Sequence, residues 1–288
     1  MYTVSLIAPP GRLDGTVVET LRSAWGGGAI RWLSTCEAAE FTLADRPNNH
    51  STVWADLQKI QVDLVLQYSI GRRKKLLLAD MDSTMIEQEC IDELAMAAGF
   101  GDQVKNITAR SMNGELDFDS ALNERVELLT GLDAKVIDKV LAEHITLKPG
   151  GAVLVATMKA HGAYTALVSG GFTLFTAVVA AELGFDENRA NQLVIVDGVL
   201  SGSVEPPILG RAGKVEALED LVQLLKINAS DVIAVGDGAN DLGMLHRAGC
   251  GVALRAKPAV AAECDLQINF CDLSALLFLQ GYAKEDFV

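Results

Sequence analysis

The sequence has few residues of the types that hold structural metals, disulfides or nucleic acids. Four histidines and five cysteines occur in 288 residues, and no two cysteines form a CxxC pair. An odd number of dispersed cysteines is typical of reduced thiols in a cytoplasmic protein, so neither a disulfide framework nor a zinc site is expected. The chain has 24 basic and 38 acidic residues and a net charge of −14. A general nucleic-acid or anionic-membrane surface is therefore not expected.

Long hydrophobic runs are also scarce. Residues 163–181 are uncharged and long enough to span a bilayer, but Ser169-Gly170-Gly171 interrupts them in the middle. We therefore interpret this stretch as a strand, a turn and a helix, and expect no membrane partner. The first residues lack a cationic segment followed by an apolar core, so no signal peptide is expected. Half of the residues are hydrophobic, which indicates a globular protein with room for two or three modules.

Strand-like and helix-like segments alternate through much of the chain, which predicts an α/β fold with a doubly wound, mostly parallel sheet. A mostly helical stretch interrupts this alternation and predicts an inserted cap. We expect three parts: an N-terminal α+β module over 1–72, a core over 73–89 and 150–288, and a helical cap over 90–149. The basic run Arg72-Arg73-Lys74-Lys75 is interpreted as a solvated linker at the first boundary. The predicted strands are 2–8, 62–68, 76–79, 164–168, 193–196, 199–204 and 231–235, with further strand-like segments within 29–43. The predicted helices are 13–25, 51–60, 90–98, 152–160, 172–183, 213–226 and 240–247.

Polar side chains follow three of the predicted core strands. Asp80 and Asp82 follow the first strand, Ser169-Gly170-Gly171 follows the second, and Asp237 and Asp241 follow the third. The first and third groups by themselves are equally well explained as an acidic turn or a helix cap. Because the carboxyl ends of parallel strands meet at one edge of a sheet, the three groups together predict a single pocket there.

The predicted pocket has the groups needed for phosphoryl transfer. Clustered carboxylates require a cation or a proton, and their oxygens suit Mg²⁺, whereas no EF-hand spacing for Ca²⁺ occurs. Lys214, at a predicted helix start, lacks the spacing of a phosphate loop but can neutralise the carboxylates and bind a phosphate oxygen. One aspartate could attack phosphorus, and its neighbour could transfer protons.

Four segments, in order, resemble the core motifs of the haloacid dehalogenase superfamily of phosphatases, and within it the phosphoserine phosphatase family. They are DMDST at 80–84, VSGGF at 168–172, Lys214 at a helix start, and VGDGANDLGML at 235–245. The resemblance implies that Asp80 is the nucleophile and Asp82 the general acid and base. It implies Mg²⁺ as the cofactor. The metal ligands it implies are Asp80, Asp237 and the backbone carbonyl of Asp82. The implied phosphoryl-binding groups are Ser169, Gly170 and Lys214. The implied supporting residues are Ser83, Asn240 and Asp241.

Two segments of the predicted cap, 86–95 and 111–129, are similar to the cap of the same family. By this resemblance Glu89 meets the ammonium of a phosphorylated amino acid and Arg125 meets its carboxylate. Met112 and Phe118 would shield the pocket. The resemblance therefore implies hydrolysis of O-phospho-L-serine, the last step of serine biosynthesis.

Several alternatives stay open at this point. The core motifs bind only the phosphoryl group, so another small phosphomonoester, or transfer to an acceptor alcohol such as homoserine, is also compatible with them. A catalytically idle amino-acid sensor is a further alternative. The N-terminal module is similar to ACT-type regulatory domains, which leaves open a homodimer and inhibition by serine.

Overall fold

The computed structural model describes residues 1–112 and 115–288, without the side chains of residues 111 and 112. Within these residues the strands form a four-stranded, a six-stranded and a two-stranded sheet. The α/β fold with a doubly wound parallel sheet is confirmed.

The N-terminal module has the order βαββαβ, which is the ferredoxin-like arrangement. Its strands are antiparallel and lie in the order β2-β3-β1-β4. Helix α1 begins where the Asp14 carboxylate accepts a hydrogen bond from the Thr16 amide at 2.8 Å, and it ends at Gly26, whose φ is 65°. The elements are β1 (Tyr2–Ile7), α1 (Gly15–Trp25), β2 (Arg31–Ser34), β3 (Ala38–Leu43), α2 (His50–Lys59) and β4 (Asp63–Tyr68).

The six-stranded sheet is parallel throughout and has helices on both faces. Alternate residues of its first strand show this directly, since Leu77 and Ala79 belong to one apolar cluster and Leu76 and Leu78 to the other. Its strands are β5 (Leu76–Ala79), β6 (Tyr164–Phe172), β7 (Glu187–Asn191), β10 (Val232–Gly236), β11 (Cys250–Leu254) and β12 (Leu266–Ile268). The helices between or after them are α7 (Gly151–Ala160), α8 (Thr173–Leu183), α9 (Arg211–Leu225), α10 (Leu242–Arg247), α11 (Pro258–Ala261) and α12 (Ala275–Leu279).

The order of this sheet is β12-β11-β10-β5-β6-β7. From β5 the chain continues to β6 and β7 on one side, and later returns to β10 on the other side. The strand order therefore reverses between β5 and β10, and such a reversal is where ligands bind in open α/β sheets.

Within its described residues the cap has four helices, and it contacts a hairpin that is formed later in the chain. Backbone amides of the cap donate to carbonyls of this hairpin: Gly131 donates to Leu200 at 2.8 Å, and Ala134 donates to Gly198 at 2.9 Å. The sequence analysis assigned this hairpin to the core range, whereas it packs on the cap. The elements are α3 (Cys90–Ala97), α4 (Gly101–Met112), α5 (Phe118–Glu127), α6 (Lys135–Glu143), β8 (Leu193–Val196) and β9 (Val199–Val204).

The interpretation of the basic run as a solvated linker is wrong for its first residue. The Arg72 side chain is only 10% exposed, and its guanidinium lies 2.7 Å from the carboxylate of Glu40 in the N-terminal module. Its Nε also donates to the carbonyl of Leu279 at 3.0 Å. Asp63 at the start of β4 adds to this contact, because its carboxylate accepts hydrogen bonds from the successive backbone amides of residues 269, 270 and 271. The module is thus packed on the core by buried polar groups.

The uncharged stretch 163–181 is confirmed as a strand followed by a helix, since it spans β6 and most of α8. Among the residues that the structure describes, no helix has the length and apolar character needed to cross a bilayer.

Candidate active site

Asp80 lies at the switch point, directly after β5. Its amide donates to the carbonyl of Val235 at 3.0 Å, which joins the ends of β5 and β10. Its carboxylate is nearly buried, and Oδ1 accepts a hydrogen bond from Lys214 Nζ at 2.5 Å. Burial, and then the charge of Asp241, raise the pKa of Asp80 well above its ordinary value, against the opposing effect of Lys214.

Lys214 reaches this position from the first turn of α9 and is fully buried. Its Nζ also lies 2.5 Å from Asp241 Oδ1, so one ammonium pairs with two carboxylates. Burial opposes its charge, but the carboxylates of Asp241 and Asp80 outweigh this effect and raise its pKa. Lys214 is therefore a permanent positive charge held between two carboxylates.

Asp241 is committed to bonds within the protein. Its Oδ2 accepts from the amides of Asp237 at 3.1 Å and Gly238 at 2.9 Å, while Oδ1 pairs with Lys214. A Cβ at Gly236 would lie 2.4 Å from the Asp241 carboxyl carbon, so a glycine is required there. Asp241 therefore organises the loop after β10, as its predicted supporting role requires.

A divalent cation fits between Asp80 and Asp237. Carboxylate oxygens of Asp80, Asp237 and Asp241 lie within 4.8 Å of one another. Asp237 Oδ1 accepts from the buried Thr84 hydroxyl at 2.9 Å. In the part of the chain that the structure describes, Oδ2 of Asp80 and Oδ2 of Asp237 receive no hydrogen bond. Burial and the charge of Asp241 raise the pKa of Asp237 to about 6. Two free carboxylate oxygens are the number Mg²⁺ commonly takes from a protein, with water and phosphate oxygens completing its coordination.

Asp82 lies beside this group in a different environment. Its Oδ1 accepts from the amide of Cys90 at 3.1 Å, and its Oδ2 lies 3.4 Å from Ser169 Oγ. Burial and then the negative charge of Glu89 raise the pKa of Asp82 to about 7. A carboxyl group with this pKa can both donate and accept a proton near neutrality.

The predicted turn after residue 168 is an extension of β6, which continues to Phe172. The Ser169 hydroxyl accepts from the amide of Gly171 at 2.8 Å. A Cβ at Gly171 would lie 2.7 Å from Asp82 Oδ2, so only glycine leaves room for that carboxylate. The sequence analysis assigned a role to Gly170 but none to Gly171, although the paired glycines were a usable signal.

The cap brings Glu89 and Arg125 to the same side of the site. Glu89 accepts a hydrogen bond from Ser83 Oγ at 2.7 Å, and Lys148 Nζ donates to the Ser83 carbonyl. Arg125 Nε donates to the carbonyl of Ala121 at 3.1 Å. Burial lowers the pKa of Arg125, and carboxylates that include Glu89 oppose this effect. Among the described residues Arg125 forms no ion pair, so its guanidinium is available to an anion.

Phe118 and Asn240 border the phosphoryl end of the site. A Cβ at Gly170 would lie 2.9 Å from the Phe118 ring and 3.4 Å from Asn240 Nδ2. The side chain of Met112, which was predicted to shield the pocket, lies outside the described residues. Thr84, inside the DMDST motif, and Asn191, which carries no motif signal, also lie near the site and had no predicted role.

Comparisons with known proteins agree with this geometry. The family model of haloacid dehalogenase-like hydrolases matches residues 77–246. A phosphoserine phosphatase of Streptomyces coelicolor is 45% identical over 215 residues, which are 75% of this chain and 52% of that protein. The chain thus spans about half the length of that relative. A probable phosphoserine phosphatase of Schizosaccharomyces pombe is 40% identical over 276 residues, which cover 93% of this chain and 92% of that protein.

A solved structure extends the similarity to nearly the whole chain. The HAD family hydrolase of Salmonella enterica serovar Typhi superposes with a TM-score of 0.88 at 32% identity, and covers 96% of this chain and 97% of its own. The resemblance inferred from four sequence motifs is confirmed. The chain belongs to the haloacid dehalogenase superfamily and, within it, to the phosphoserine phosphatase family.

Proposed function

We propose that this chain is a Mg²⁺-dependent phosphatase that hydrolyses O-phospho-L-serine to L-serine and phosphate through an aspartyl-phosphate on Asp80. The observation that carries the proposal is the buried Asp80, Lys214 and Asp241 group at the strand reversal, beside a cap that presents Glu89 and Arg125. Relatives that cover most of this chain carry the name phosphoserine phosphatase, which supports the choice of substrate.

In the first half-reaction a carboxylate oxygen of Asp80 attacks phosphorus, and the bond from phosphorus to the serine oxygen breaks. Asp82, with a pKa of about 7, gives its proton to that leaving oxygen. The Lys214 ammonium and the Ser169 hydroxyl bind the phosphoryl oxygens and stabilise the charge on them. A bound Mg²⁺ would supply further positive charge to the same oxygens.

In the second half-reaction Asp82 is a carboxylate and accepts a proton from water. The oxygen of that water attacks phosphorus, and the bond from phosphorus to the Asp80 carboxylate breaks, which releases phosphate. Asp82 thereby regains its proton for the next turnover. Asp241 stays bound to Lys214 throughout, so the ammonium keeps its position while the charge on Asp80 changes.

The cap supplies recognition of the amino acid. Glu89 is an anionic partner for the substrate ammonium, and Arg125 has a planar donor pair for its carboxylate. Phe118 covers the phosphoryl end, since its Cζ lies 2.9 Å from the position that a Cβ at Gly170 would take. A homodimer, inhibition by serine through an ACT-like module, and a cytoplasmic location stay predictions.

Phosphate release from a panel of phosphomonoesters tests the proposal. The panel contains L-phosphoserine, D-phosphoserine, phosphoethanolamine and p-nitrophenyl phosphate, each assayed with Mg²⁺ and with EDTA. We expect Mg²⁺-dependent turnover with a preference for L-phosphoserine, and none for Asp80→Asn. Activity that is equal on all four esters would contradict the substrate. Less phosphate than serine with added homoserine would indicate transfer.

Arg125→Ala tests the recognition of the carboxylate. Loss of a charge-assisted bond should lower kcat/KM for L-phosphoserine about 10- to 100-fold and leave p-nitrophenyl phosphate nearly unchanged. Arg110→Ala is the matched control, since Arg110 lies on the neighbouring helix α4 and pairs with Glu124 at 2.6 Å. Equal losses on both substrates would contradict the role of Arg125.

A further inference from the structure

Asn191, at the end of β7, joins two segments of the candidate active site. The first is residues 169–171, where the pairing of β6 with β7 is irregular, and is called the Ser169 loop below. The second is the loop that leads to α9. Asn191 Nδ2 donates to the carbonyl of Gly170 at 2.9 Å and to the carbonyl of Leu209 at 3.3 Å. Its Oδ1 accepts from the amide of Leu209 at 2.6 Å. The residue is 2% exposed, so these bonds form away from water. Every polar group of the side-chain amide is therefore used to bind backbone on the two loops.

On the first loop, Asn191 orients the peptide group between Gly170 and Gly171. The carbonyl of this peptide group accepts from Asn191, and its amide donates to Ser169 Oγ at 2.8 Å. The same hydroxyl lies 3.4 Å from Asp82. A peptide group with a partner at both ends cannot rotate without breaking one of them. Asn191 thus acts on the Ser169 hydroxyl through one peptide group.

On the second loop, Asn191 sets the approach to helix α9. Leu209 is bound by both its amide and its carbonyl, and α9 begins two residues later. The amide of Lys214 donates to the carbonyl of Gly210 at 3.1 Å in the first turn of that helix. A shift of Leu209 would therefore shift the turn from which Lys214 reaches Asp80.

The two loops also meet at one aromatic ring. A Cβ at Gly170 would lie 2.9 Å from Phe118 Cζ, and a Cβ at Gly210 would lie 2.8 Å from Phe118 Cδ1. The ring therefore contacts both loops from the cap side, while Asn191 bonds both from β7. The separation of the loops is constrained from two directions.

We propose that Asn191 is a positioning residue for the phosphoryl group. It sets the distance between the Ser169 loop and the start of α9, so that the Ser169 hydroxyl and the Lys214 ammonium meet the same phosphoryl group. This role rests on the proposed function of those two groups. An amide is required, because a carboxylate cannot donate to the carbonyls of Gly170 and Leu209 and would repel them.

Asn191→Asp and Asn191→Ala test this role against Asn188→Asp. Asn188 lies on the same strand, and its Oδ1 accepts from Thr176 Oγ1 at 2.8 Å, a bond that a carboxylate retains. We expect kcat/KM of both Asn191 variants to fall about 10- to 100-fold. The factor should be the same for L-phosphoserine and for p-nitrophenyl phosphate, because the two substrates share the phosphoryl group. The inhibition constant of inorganic phosphate should rise, and the control should match the wild type.

Folded Asn191 variants with unchanged kcat/KM and unchanged phosphate inhibition would overturn the proposal. A loss confined to L-phosphoserine would also overturn it, because that pattern belongs to the cap residues. If the variants do not fold, hydrogen exchange of the wild-type protein decides. Inorganic phosphate with Mg²⁺ should slow exchange of the Gly171 and Leu209 amides together, and no change at either amide would overturn the proposal.

The two proposals can fail separately. A wild-type protein that hydrolyses p-nitrophenyl phosphate but not L-phosphoserine contradicts the proposed substrate. The comparison of Asn191 with Asn188 can then still be made on the aryl ester.

Discussion

Replacement of Lys214 by methionine is the sharpest test of the charge arrangement in the site. Methionine keeps most of the length of the side chain and removes the ammonium, which lies 2.5 Å from Asp80 and from Asp241. Lys214 and Asp241 are both fully buried, so bulk water cannot take the place of the ammonium at Asp241. Removing one partner of a buried ion pair costs about 3 to 5 kcal/mol. We expect a loss of stability in this range together with a loss of turnover.

Urea unfolding in EDTA measures the effect. With a slope of about 3 kcal/mol per molar urea, the midpoint should fall by about 1 M or more. Lys59→Met is the matched control, because Lys59 pairs with Asp56 at 2.8 Å but both side chains are exposed, and such pairs contribute about 0 to 1 kcal/mol. Equal midpoints for the two variants would refute the reasoning.

The pH dependence and a double variant identify the cause of the loss. Without Lys214 the pKa of Asp80 rises further, so the native state takes up a proton there and the loss of stability should be smaller at low pH. Asp241→Asn in the Lys214→Met background removes one uncompensated charge and should recover part of the midpoint. A loss that is independent of pH and unchanged in the double variant would indicate a packing defect instead.

Three further predictions concern other groups. Burial and then the charge of Glu89 raise the pKa of Asp82. In Glu89→Gln the fall of kcat for p-nitrophenyl phosphate with rising pH should therefore occur at a lower pH than in the wild type. An unchanged pH profile would contradict this. Gly171→Ala should lower kcat about 100-fold at an unchanged melting temperature, because the new Cβ displaces the Asp82 carboxylate. Gly15→Ala should leave both kcat and the melting temperature unchanged. Burial raises the pKa of Asp63, so the native state binds its proton more readily, and the wild type should gain stability over Asp63→Asn as the pH falls; parallel stability curves would contradict this.

Several features of the site follow from local sequence. Asp80 and Asp82 come directly after a fully buried apolar strand, and Asp237 comes after another, so their place at the carboxyl edge of a parallel sheet is a consequence of strand period and burial. From its chemistry, Lys214 was expected to neutralise the clustered carboxylates and to bind a phosphate oxygen. Its spacing alone excluded a phosphate loop but did not show that it pairs with two carboxylates.

Other features could not be read from the sequence, because they depend on partners distant in the chain. Strand β7 has the mostly polar sequence ENRAN and forms because it pairs with β6. Strands β11 and β12 were also not predicted, and they form by parallel pairing with β10 and with each other. Arg72 belongs to a run typical of solvent, yet Glu40 and the carbonyl of Leu279 bury it.

By itself the sequence determined the chemistry of the site, since carboxylates, a lysine and glycines at strand ends have few other uses in this order. The tertiary structure decided how these groups are charged and oriented. The pKa of about 7 at Asp82 requires the burial and the nearby Glu89 that folding provides. The alignment of the Ser169 loop with the start of α9 depends on Asn191, whose three hydrogen bonds join segments that are far apart in sequence. Charge and orientation arise from desolvation and from contacts across the fold, and neither is present in a local motif.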